Sequence, residues 1–595
     1  MPNNPDEQFM QQRLLIASVL SAVALMGYIY IQGPPPAAPV DPPAIEQTTT
    51  TQQVTAGGQA DPETDPPKAA AGPAGEQPGS PPETPGAAAQ RAVETIAAKA
   101  ETEAVIETDT FKVRFSNRGA AVKSWVLTQY MNANRDGELE LVHQKGAEAN
   151  GYPFEIDLPG GRRFDELNDA LFKVTEDPAR GGQGPAIVFE YAAAGIMARK
   201  AFRFEKEGYV LRVESEVRRN GSIEPHLLTW NGGFGDTAQL QDAVNSGTFY
   251  YDPRRQAFER NTADDAEDER LINTGPYAFA GINDHFFTAT YLPPEGAEEL
   301  RLETSAVTIV AAGGAQEELF PAIGVGMPGV NNFKVFVGPK KVDILSAVSP
   351  ELGDAVDFGT VWGFIAVPIF WGLRWTHDNI VANYGWAIVV LTTLINFALF
   401  PLKWKSMKSM KKMQSLQPLV KQINDKYKGL GMRDPKKQQQ QEEMMALYKT
   451  HGVNPLGGCL PMFLQFPFFL GFYNVLSVAI ETRHAEWLWV KDLSTFEQLP
   501  IHVLPIALVL TQFWQQTVTP AAPTADASQM RLMKFMPLMM GFIFYNVSSG
   551  LVLFWLTGNV VGVIQQLLLN KFSSDDEIAI EIPRGRKQKK SKSRA

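Results

Sequence analysis

Apolar residues are spread unevenly along the chain, and their pattern separates three kinds of region. One apolar run lies near the N-terminus at 14–31, and five more lie in the last third. Because a helix needs about 20 mostly apolar residues to cross a bilayer, we predict one N-terminal span and five core spans. The predicted core spans are 384–402, 460–480, 500–516, 533–547 and 551–569.

The middle of the chain, at 101–348, has a period of two instead. FKVRF at 111–115, AFRF at 201–204 and FKVFV at 333–337 alternate apolar and polar residues, and turn signals such as Asn220-Gly221 separate such stretches. This pattern predicts an extracytoplasmic all-β sandwich of antiparallel strands. We find no metal-ligand or acid-base spacing in it, and we interpret Asp284 and His285 as ordinary polar residues near a strand.

The N-terminal region divides into an anchor and a linker. We interpret 1–32 as a retained transmembrane anchor, since its apolar run is longer than the usual core of a signal peptide. A cleaved signal peptide is the alternative. Residues 33–100 are rich in Pro and Ala and poor in large apolar residues, so we predict a disordered linker.

A short aromatic segment lies between the β-sandwich and the first core span, within 349–382. It contains Trp362, Trp371 and Trp375 together with an internal proline, Pro368. This composition favours an amphipathic helix lying in the membrane interface. A sixth core span is the alternative.

Charge predicts the orientation of the chain. The 595 residues carry a net charge of -11, but lysine and arginine cluster at 403–453 and in the tail at 571–595. Basic loops stay in the cytosol, so this hairpin and both termini are predicted to be cytoplasmic. The acidic loop 481–499 and the β-sandwich then lie outside.

The basic hairpin is predicted to consist of two helices joined by a glycine turn. Its methionines form either a flexible surface for apolar client segments or part of a solvated loop near lipid headgroups, and the sequence leaves both open. The candidate residues are Lys403, Lys405, Met407, Met410, Met413, Met444 and Met445.

A few polar side chains lie inside the predicted spans, on the cytosolic half of the membrane. Each is a candidate site residue, because a polar side chain in hydrocarbon is costly unless it faces protein or water. Taken singly, each amide suits an interhelical hydrogen bond; together they favour a hydrated groove. The groove candidates are Thr392, Asn396, Gln465, Asn559, Gln565 and Gln566.

Catalytic chemistry finds no support in the sequence. The single cysteine, Cys459, has no evident histidine partner, and we interpret it as a packing residue. The spans contain no Asp pair or Cys/His dyad. We therefore predict a protein that is not an enzyme and needs no cofactor or metal.

Several motifs in the last third resemble those of YidC-family membrane protein insertases of Gram-negative type. In chain order they are NYGW at 383–386, FPL at 400–402, EMMALY at 443–448, NPLGGCLP at 454–461, LQFP at 464–467, SGLVL at 549–553 and IQQ at 564–566. The resemblance covers 330–570 strongly, and the N-terminal layout more loosely.

The resemblance implies a β-supersandwich domain in the periplasm and a five-helix core with an inward-open groove in the inner membrane. It also implies insertion of nascent membrane proteins, alone or with the Sec translocon, without nucleotide or metal. The basic tail would help to bind the ribosome, although a lipid-attracted polybasic end explains it equally. Family members usually carry a cation where this chain has Asn396; Lys403 or Lys405 would compensate by reaching towards it, or would extend to the headgroups.

Two other functions remain as alternatives. The same amides would suit a transporter or channel that uses them as a permeation path. The β-sandwich would suit an extracytoplasmic binding protein for which the spans serve only as an anchor.

Overall fold

The structure is a computed structural model that describes most of the chain after residue 94. The described residues are 95–178, 184–236, 246–310, 317–359, 361–428, 434–453, 460–519 and 527–572. The predicted N-terminal anchor, most of the predicted linker, Cys459, the glycine turn of the hairpin and all but the first two residues of the basic tail lie outside them.

A β-domain occupies the described chain up to residue 339. Its strands are β1 (Glu103–Glu107), β2 (Phe111–Ser116), β3 (Ala121–Met131), β4 (Glu138–Glu140), β5 (Ile156–Leu158), β6 (Arg162–Arg163), β7 (Lys173–Asp177), β8 (Ala186–Ala193), β9 (Ile196–Phe204), β10 (Val210–Arg219), β11 (Ser222–Ile223), β12 (Leu227–Trp230), β13 (Gly247–Asp252), β14 (Ala257–Asn261), β15 (Leu271–Gly275), β16 (Phe279–Asn283), β17 (Phe287–Leu292), β18 (Leu300–Val310), β19 (Glu317–Gly326) and β20 (Asn331–Pro339). Two short helices interrupt them, α1 (Gln144–Asn150) and α2 (Asp165–Asn168).

The strands form three sheets around one core. The first has the order β1-β2-β3-β4, and the second has the order β14-β13-β16-β17-β20-β10-β9-β8-β7 with β11 beside β10. The third has the order β15-β18-β19-β12-β5-β6. Buried aromatic residues from all three sheets, among them Trp125, Tyr291 and Trp230, belong to one hydrophobic cluster. The predicted β-sandwich is therefore confirmed.

Helices make up the rest of the described chain. They are α3 (Val342–Val348), α4 (Gly363–Asn379), α5 (Tyr384–Ala398), α6 (Phe400–Ser415), α7 (Gln417–Lys426), α8 (Lys436–Thr450), α9 (Leu460–Val478), α10 (Val503–Val518), α11 (Ala527–Ile543) and α12 (Ser549–Phe572). Short 3₁₀ helices lie at Asp264–Ala266, Pro350–Ala355, Ile480–Thr482 and Phe544–Asn546. A helix thus occurs at each of the five predicted core spans.

Most of these core helices are short for a membrane. Among the described residues, only α12, with 24 residues, is by itself long and apolar enough to cross a bilayer. Helices α5, α10 and α11 have 15, 16 and 17 residues. At about 1.5 Å per residue the shortest spans only about 22 Å, less than the ~30 Å of a bilayer's hydrocarbon.

Helix α4 lies at a steep angle to the first core span. The axes of α4 and α5 differ by 119°, so the two helices cannot form one continuous span. One face of α4 buries Ile369, Phe370 and Leu373, and Gly471 of α9 allows Ile369 to pack closely against it. The opposite face exposes aromatic residues, as an interfacial helix would; the interfacial position itself stays a prediction.

The first arm of the hairpin consists of two helices, whereas the sequence analysis predicted one. Helix α6 ends at Ser415 and α7 begins at Gln417, with a proline, Pro418, in its first turn. Proline has no N–H to donate and disfavours a helical residue before it, so a break at this point is expected.

A fully buried lysine ties together two turns of the β-domain. Lys200 of β9 is 0% exposed, and its Nζ donates to the carbonyl oxygens of Gly119, Ala120 and Phe154 at 2.7, 3.3 and 2.6 Å. These three residues have φ of 68, 47 and 65°, a left-handed conformation that non-glycine residues adopt reluctantly. Burial lowers the pKa of Lys200 to about 7.

We expect Lys200→Met to destabilise the full-length protein by roughly 3 kcal/mol or more, because three buried carbonyl groups lose their donor. Thermal unfolding in detergent would measure this change. Lys112→Met, at an exposed lysine that pairs with Glu107 at 3.9 Å, is the matched control and should unfold like the wild type. Equal losses in the two variants would contradict this role of Lys200.

A buried histidine should make the β-domain sensitive to acid. His226 lies 2.7 Å from Ser215 Oγ, and its Nδ1 donates to the Glu224 carbonyl at 3.0 Å. Burial lowers its pKa from 6.5 to about 4. Between these values the unfolded chain binds a proton that the folded chain does not, so stability falls as the pH drops from 6.5 to 4.

We expect His226→Gln to flatten this part of the profile of melting temperature against pH, even though the variant is less stable at pH 7. Melting temperatures from pH 4 to 7 would show it. Parallel profiles for the wild type and the variant would exclude His226 as the source.

Candidate functional site: the polar interior of the helical core

A row of three polar residues lies at the junction of α5 and α6. Lys403 Nζ donates to Asn396 Oδ1 at 2.6 Å, and Asn396 Nδ2 donates to the Thr392 carbonyl at 2.8 Å. Lys403 is 7% exposed and Asn396 is 5% exposed. The positive charge therefore reaches the position where the sequence has an amide.

The continuity of the two helices brings these residues together. Leu399, between α5 and α6, keeps helical angles of φ -81° and ψ -10°. Residues seven positions apart then lie on the same face, two turns from each other, as Asn396 and Lys403 do. Lys405 lies on another face and is exposed, so of the two lysines Lys403 is the one that contacts Asn396.

A fourth polar residue, from the last helix, joins this row. Gln565 Nε2 of α12 donates to the backbone carbonyl of Asn396 at 3.1 Å, and Gln565 is buried. This bond links α5 to α12 beside the lysine. Among the described residues, Lys403 has no carboxylate within ion-pair distance, and its protein hydrogen-bond partner is the Asn396 amide oxygen.

The other predicted residues of α12 face α10 instead. Asn559 Nδ2 lies 3.5 Å from Thr511 Oγ1, a long hydrogen bond. Gln566 donates to Asn570 at 3.0 Å, and Asn570 donates to the Val518 carbonyl at 3.3 Å. The six candidates therefore do not form one cluster.

Two glycines of α12 receive amide side chains from neighbouring helices. Gln465 Nε2 of α9 lies 3.3 Å from the position a Cβ would take at Gly558, and Gln515 Nε2 of α10 lies 2.9 Å from that position at Gly562. Gly558 is seven residues, or about 10 Å, from Gln565 along the helix. Because Gln565 contacts Asn396 and Gly558 contacts Gln465, the two predicted groove residues Asn396 and Gln465 lie at levels about 10 Å apart along α12.

Four polar residues of α10 were missed from the sequence. Thr511, Gln512 and Gln515 lie inside the predicted span 500–516, as does Gln516, and Thr511 and Gln515 face α12. The rule applied to the other spans would have found them, since it singles out any amide or hydroxyl in an apolar run.

Two buried polar atoms of α5 and α10 lack a partner among the described residues. They are Thr392 Oγ1 and Gln512 Oε1. Nearly all buried polar atoms in proteins are hydrogen-bonded, so both atoms suit a partner from outside the described chain. Among these residues, no group of three or more His, Cys, Asp or Glu is placed to hold a metal ion.

The hairpin buries part of its predicted methionine surface. Met413 lies in a small core with Leu416, Val420 and Tyr448, and Met444 packs against that core. Met407 and Met410 are half-buried, and Met445 is exposed. The arms are also joined by an exposed ion pair between Lys426 and Glu443 at 2.5 Å.

The tryptophans of the α4 region fall into two groups. Trp371 and Trp375 are exposed on the outer face of α4, and the Arg374 guanidinium lies 5.1 Å from the Trp371 ring. Trp362 lies just before α4 and packs edge-on against Phe466 of α9 at 6.3 Å. Two of the three therefore suit contact with lipid, and one fastens α4 to the core.

Comparisons with known proteins agree over both parts of the chain. The family model described as "60Kd inner membrane protein" matches residues 375–576, and the model "YidC periplasmic domain" matches residues 103–372. Proteins named "Membrane protein insertase YidC" are 31% identical over 475 residues in Geobacter sp. (strain M21) and 32% identical over 604 residues in Syntrophus aciditrophicus (strain SB). The first match covers 78% of this chain and 85% of the relative, and the second covers 94% and 100%.

A solved structure is similar at a lower level. The crystal structure "Active YidC insertase crystal structure with the first transmembrane domain resolved" is 20% identical, and the match covers 80% of this chain and 94% of that chain. Its TM-score is 0.34. The family assignment depends on the sequence matches.

We expect Gln565→Leu to destabilise the core by about 1 kcal/mol, since it removes the bond between α5 and α12. Gln566→Leu is the matched control: it removes a bond within α12, so a smaller loss is expected. Thermal inactivation of the full-length protein in detergent would compare the two. A larger loss for Gln566→Leu would contradict the assigned contacts.

Proposed function

The chain belongs to the YidC family of membrane protein insertases, whose members lie in the inner membrane with a periplasmic β-domain, and we propose that it inserts clients through a hydrated groove with Lys403 as its cation. The polar groups between α5, α9, α10 and α12 would line this groove. The clients are nascent membrane proteins.

The contact between Lys403 and Asn396 supports this proposal most strongly. Burying a cation is unfavourable, and one amide oxygen compensates for only part of the lost hydration. An acidic or polar client segment near Lys403 would therefore gain more here than in lipid. Asn396 holds the lysine in place and remains polar, as the groove prediction requires.

The unpartnered atoms support hydration. Thr392 Oγ1 of α5 and Gln512 Oε1 of α10 lack a partner among the described residues, and water or a client's backbone would satisfy both. A wet surface of this kind lowers the cost of moving a client's polar segment through hydrocarbon.

The length of the core helices supports a second contribution to the mechanism, which is local thinning of the membrane. Where α10, with 16 residues, is too short for a relaxed bilayer, the membrane beside it is expected to thin. A thinner membrane shortens the apolar path that a client's polar segment must cross. Hydration and thinning act together on the same barrier.

The hairpin would receive clients on the cytosolic side. The exposed Met445 and the half-buried Met407 and Met410 offer flexible apolar contacts, and separation of the arms would add Met413 and Met444.

The proposal includes two partners. The basic tail would bind ribosomes, and the Sec translocon would act beside the groove for some clients. A chaperone role and the cytoplasmic placement of both termini belong to the same proposal.

We expect Lys403→Gln to slow insertion of clients with acidic translocated segments by about tenfold, which corresponds to loss of one favourable charge interaction of about 1.4 kcal/mol. Insertion into proteoliposomes would be measured with an acidic client and with its neutral Asp→Asn version. The neutral client should be affected far less.

Lys405→Gln is the matched control, because Lys405 carries the same charge two residues away but is exposed. It should insert both clients at the wild-type rate. Equal slowing by the two substitutions would contradict the role of Lys403. Measurable solute flux without client insertion would instead favour a transporter.

A further inference from the structure

The chain between α9 and α10 joins several parts of the core on the side of the β-domain. We call residues 480–497 the periplasmic segment, because they contact the β-domain, which the family places in the periplasm. Gly550 N at the start of α12 donates to the Leu493 carbonyl at 2.9 Å, and Ser549 N donates to the Thr495 carbonyl at 2.7 Å. The segment thus holds the first turn of α12.

The same segment also holds α5 and α10. Asn383, which caps α5, donates through Nδ2 to the Glu486 carbonyl at 2.7 Å, and Trp487 packs against Gly385. The Glu497 carboxylate accepts from Leu504 N in the first turn of α10 at 2.7 Å. Three groove helices are therefore tied to one piece of chain at their periplasmic ends.

A buried ion pair fixes this segment to the β-domain. Arg483 Nη2 lies 2.7 Å from Asp236 Oδ2, and each side chain is 6% exposed. The Arg483 guanidinium also lies 5.3 Å from the Phe287 ring. Ile480, at the start of the segment, belongs to the hydrophobic core of the β-domain.

The β-domain presents Asp236 in a fixed position. Asp284 accepts from Asp236 N at 3.1 Å and from Phe287 N at 2.6 Å. Gly235, at φ 110°, leaves the space that the Asp284 side chain occupies. The neighbouring His285 contacts the carbonyl of Ser477 in α9. Asp284 and His285 are thus more than ordinary polar residues near a strand.

A second arginine of the β-domain clamps the segment from the other side. Arg135, itself at φ 60°, donates to the Glu486 carboxylate at 3.0 Å, the Lys491 carbonyl at 3.1 Å and the His484 carbonyl at 3.3 Å. These three hydrogen bonds from one guanidinium restrain the segment at residues 484, 486 and 491. The segment is therefore held in a fixed position.

We propose that the Arg483–Asp236 pair is a latch by which the β-domain positions the periplasmic ends of α5, α10 and α12. With these ends fixed, the helices separate only at their cytosolic ends, where Lys403 and Asn396 lie. Arg483 and Asp236 are positioning residues. The inference goes beyond the proposed groove and depends on the proposed function only for its insertion readout.

The physics of buried ion pairs makes a specific test possible. Removing one partner leaves the other charge buried and unpaired, whereas replacing both with apolar residues is often nearly neutral. The test therefore compares Arg483→Leu, Asp236→Leu and the double variant in the full-length protein in nanodiscs. Arg199→Leu is the matched control, since its pair with Glu214, at 3.3 Å, is exposed.

Hydrogen exchange of residues 480–497 is the first readout, and insertion rate is the second. We expect each single latch variant to speed exchange in the segment by about tenfold or more, and to slow insertion, because a stranded charge favours local opening. The double variant should recover most of the wild-type protection from exchange in the segment and most of the wild-type insertion rate. Arg199→Leu should match the wild type, and exchange in β13 and β14 should stay unchanged in every variant, which shows that the β-domain remains folded.

Wild-type exchange in both single variants would overturn the latch, and so would a double variant no better than the singles. Faster exchange that reaches β13 and β14 would also overturn it, because the pair would then hold the β-domain's fold rather than the segment. Altered exchange with normal insertion would show that the segment is latched but does not position the groove. None of these outcomes depends on the proposed role of Lys403, so the latch and the groove can fail independently.

Discussion

A buried charge needs a polar partner, and this requirement organises the cytosolic half of the helical core. Lys403 lies on a helix that continues from α5 with almost no interruption, and Asn396 Oδ1 accepts a hydrogen bond from its Nζ at 2.6 Å. Asn396 in turn bonds to the Thr392 carbonyl and receives Gln565 through its own carbonyl. A leucine at 396 would leave the lysine without its acceptor, and Lys403 would then have to leave the core.

The two ends of the core differ in the partner of their buried cation. At the end beside the β-domain, the Arg483–Asp236 pair has opposite charges in contact and is closed to solvent. At the other end, Lys403 faces the Asn396 amide oxygen. Buried polar atoms without a partner among the described residues occur in both parts, at Thr392 and Gln512 inside the core and at Glu481, Trp487 and Ser549 near the β-domain. The difference between the ends therefore lies in the buried cation, because a carboxylate compensates the charge of Arg483 and only an amide dipole faces that of Lys403.

Local patterns in the sequence predicted the elements well. Alternation in strands such as β2 and β20 gave the β-sandwich, and the positions of the core helices followed from apolar runs. Contacts between distant residues could not be predicted, since nothing local links Arg483 to Asp236, which is 247 residues away. The contact of Lys403 with Asn396 lay between these cases: their spacing was visible, but the contact itself depended on the helical angles of Leu399. The break at Pro418 and the amides of α10 were visible and were overlooked.

Site-specific photocrosslinking tests the central claim most directly. A photoreactive residue at position 396, in the full-length protein, would be exposed to ribosome-bound nascent chains of increasing length. We predict crosslinks to the first polar segment of a client while that segment crosses the membrane, and none after insertion is complete. If nascent clients never crosslink at 396 although they are inserted, the polar interior beside Lys403 is not their path.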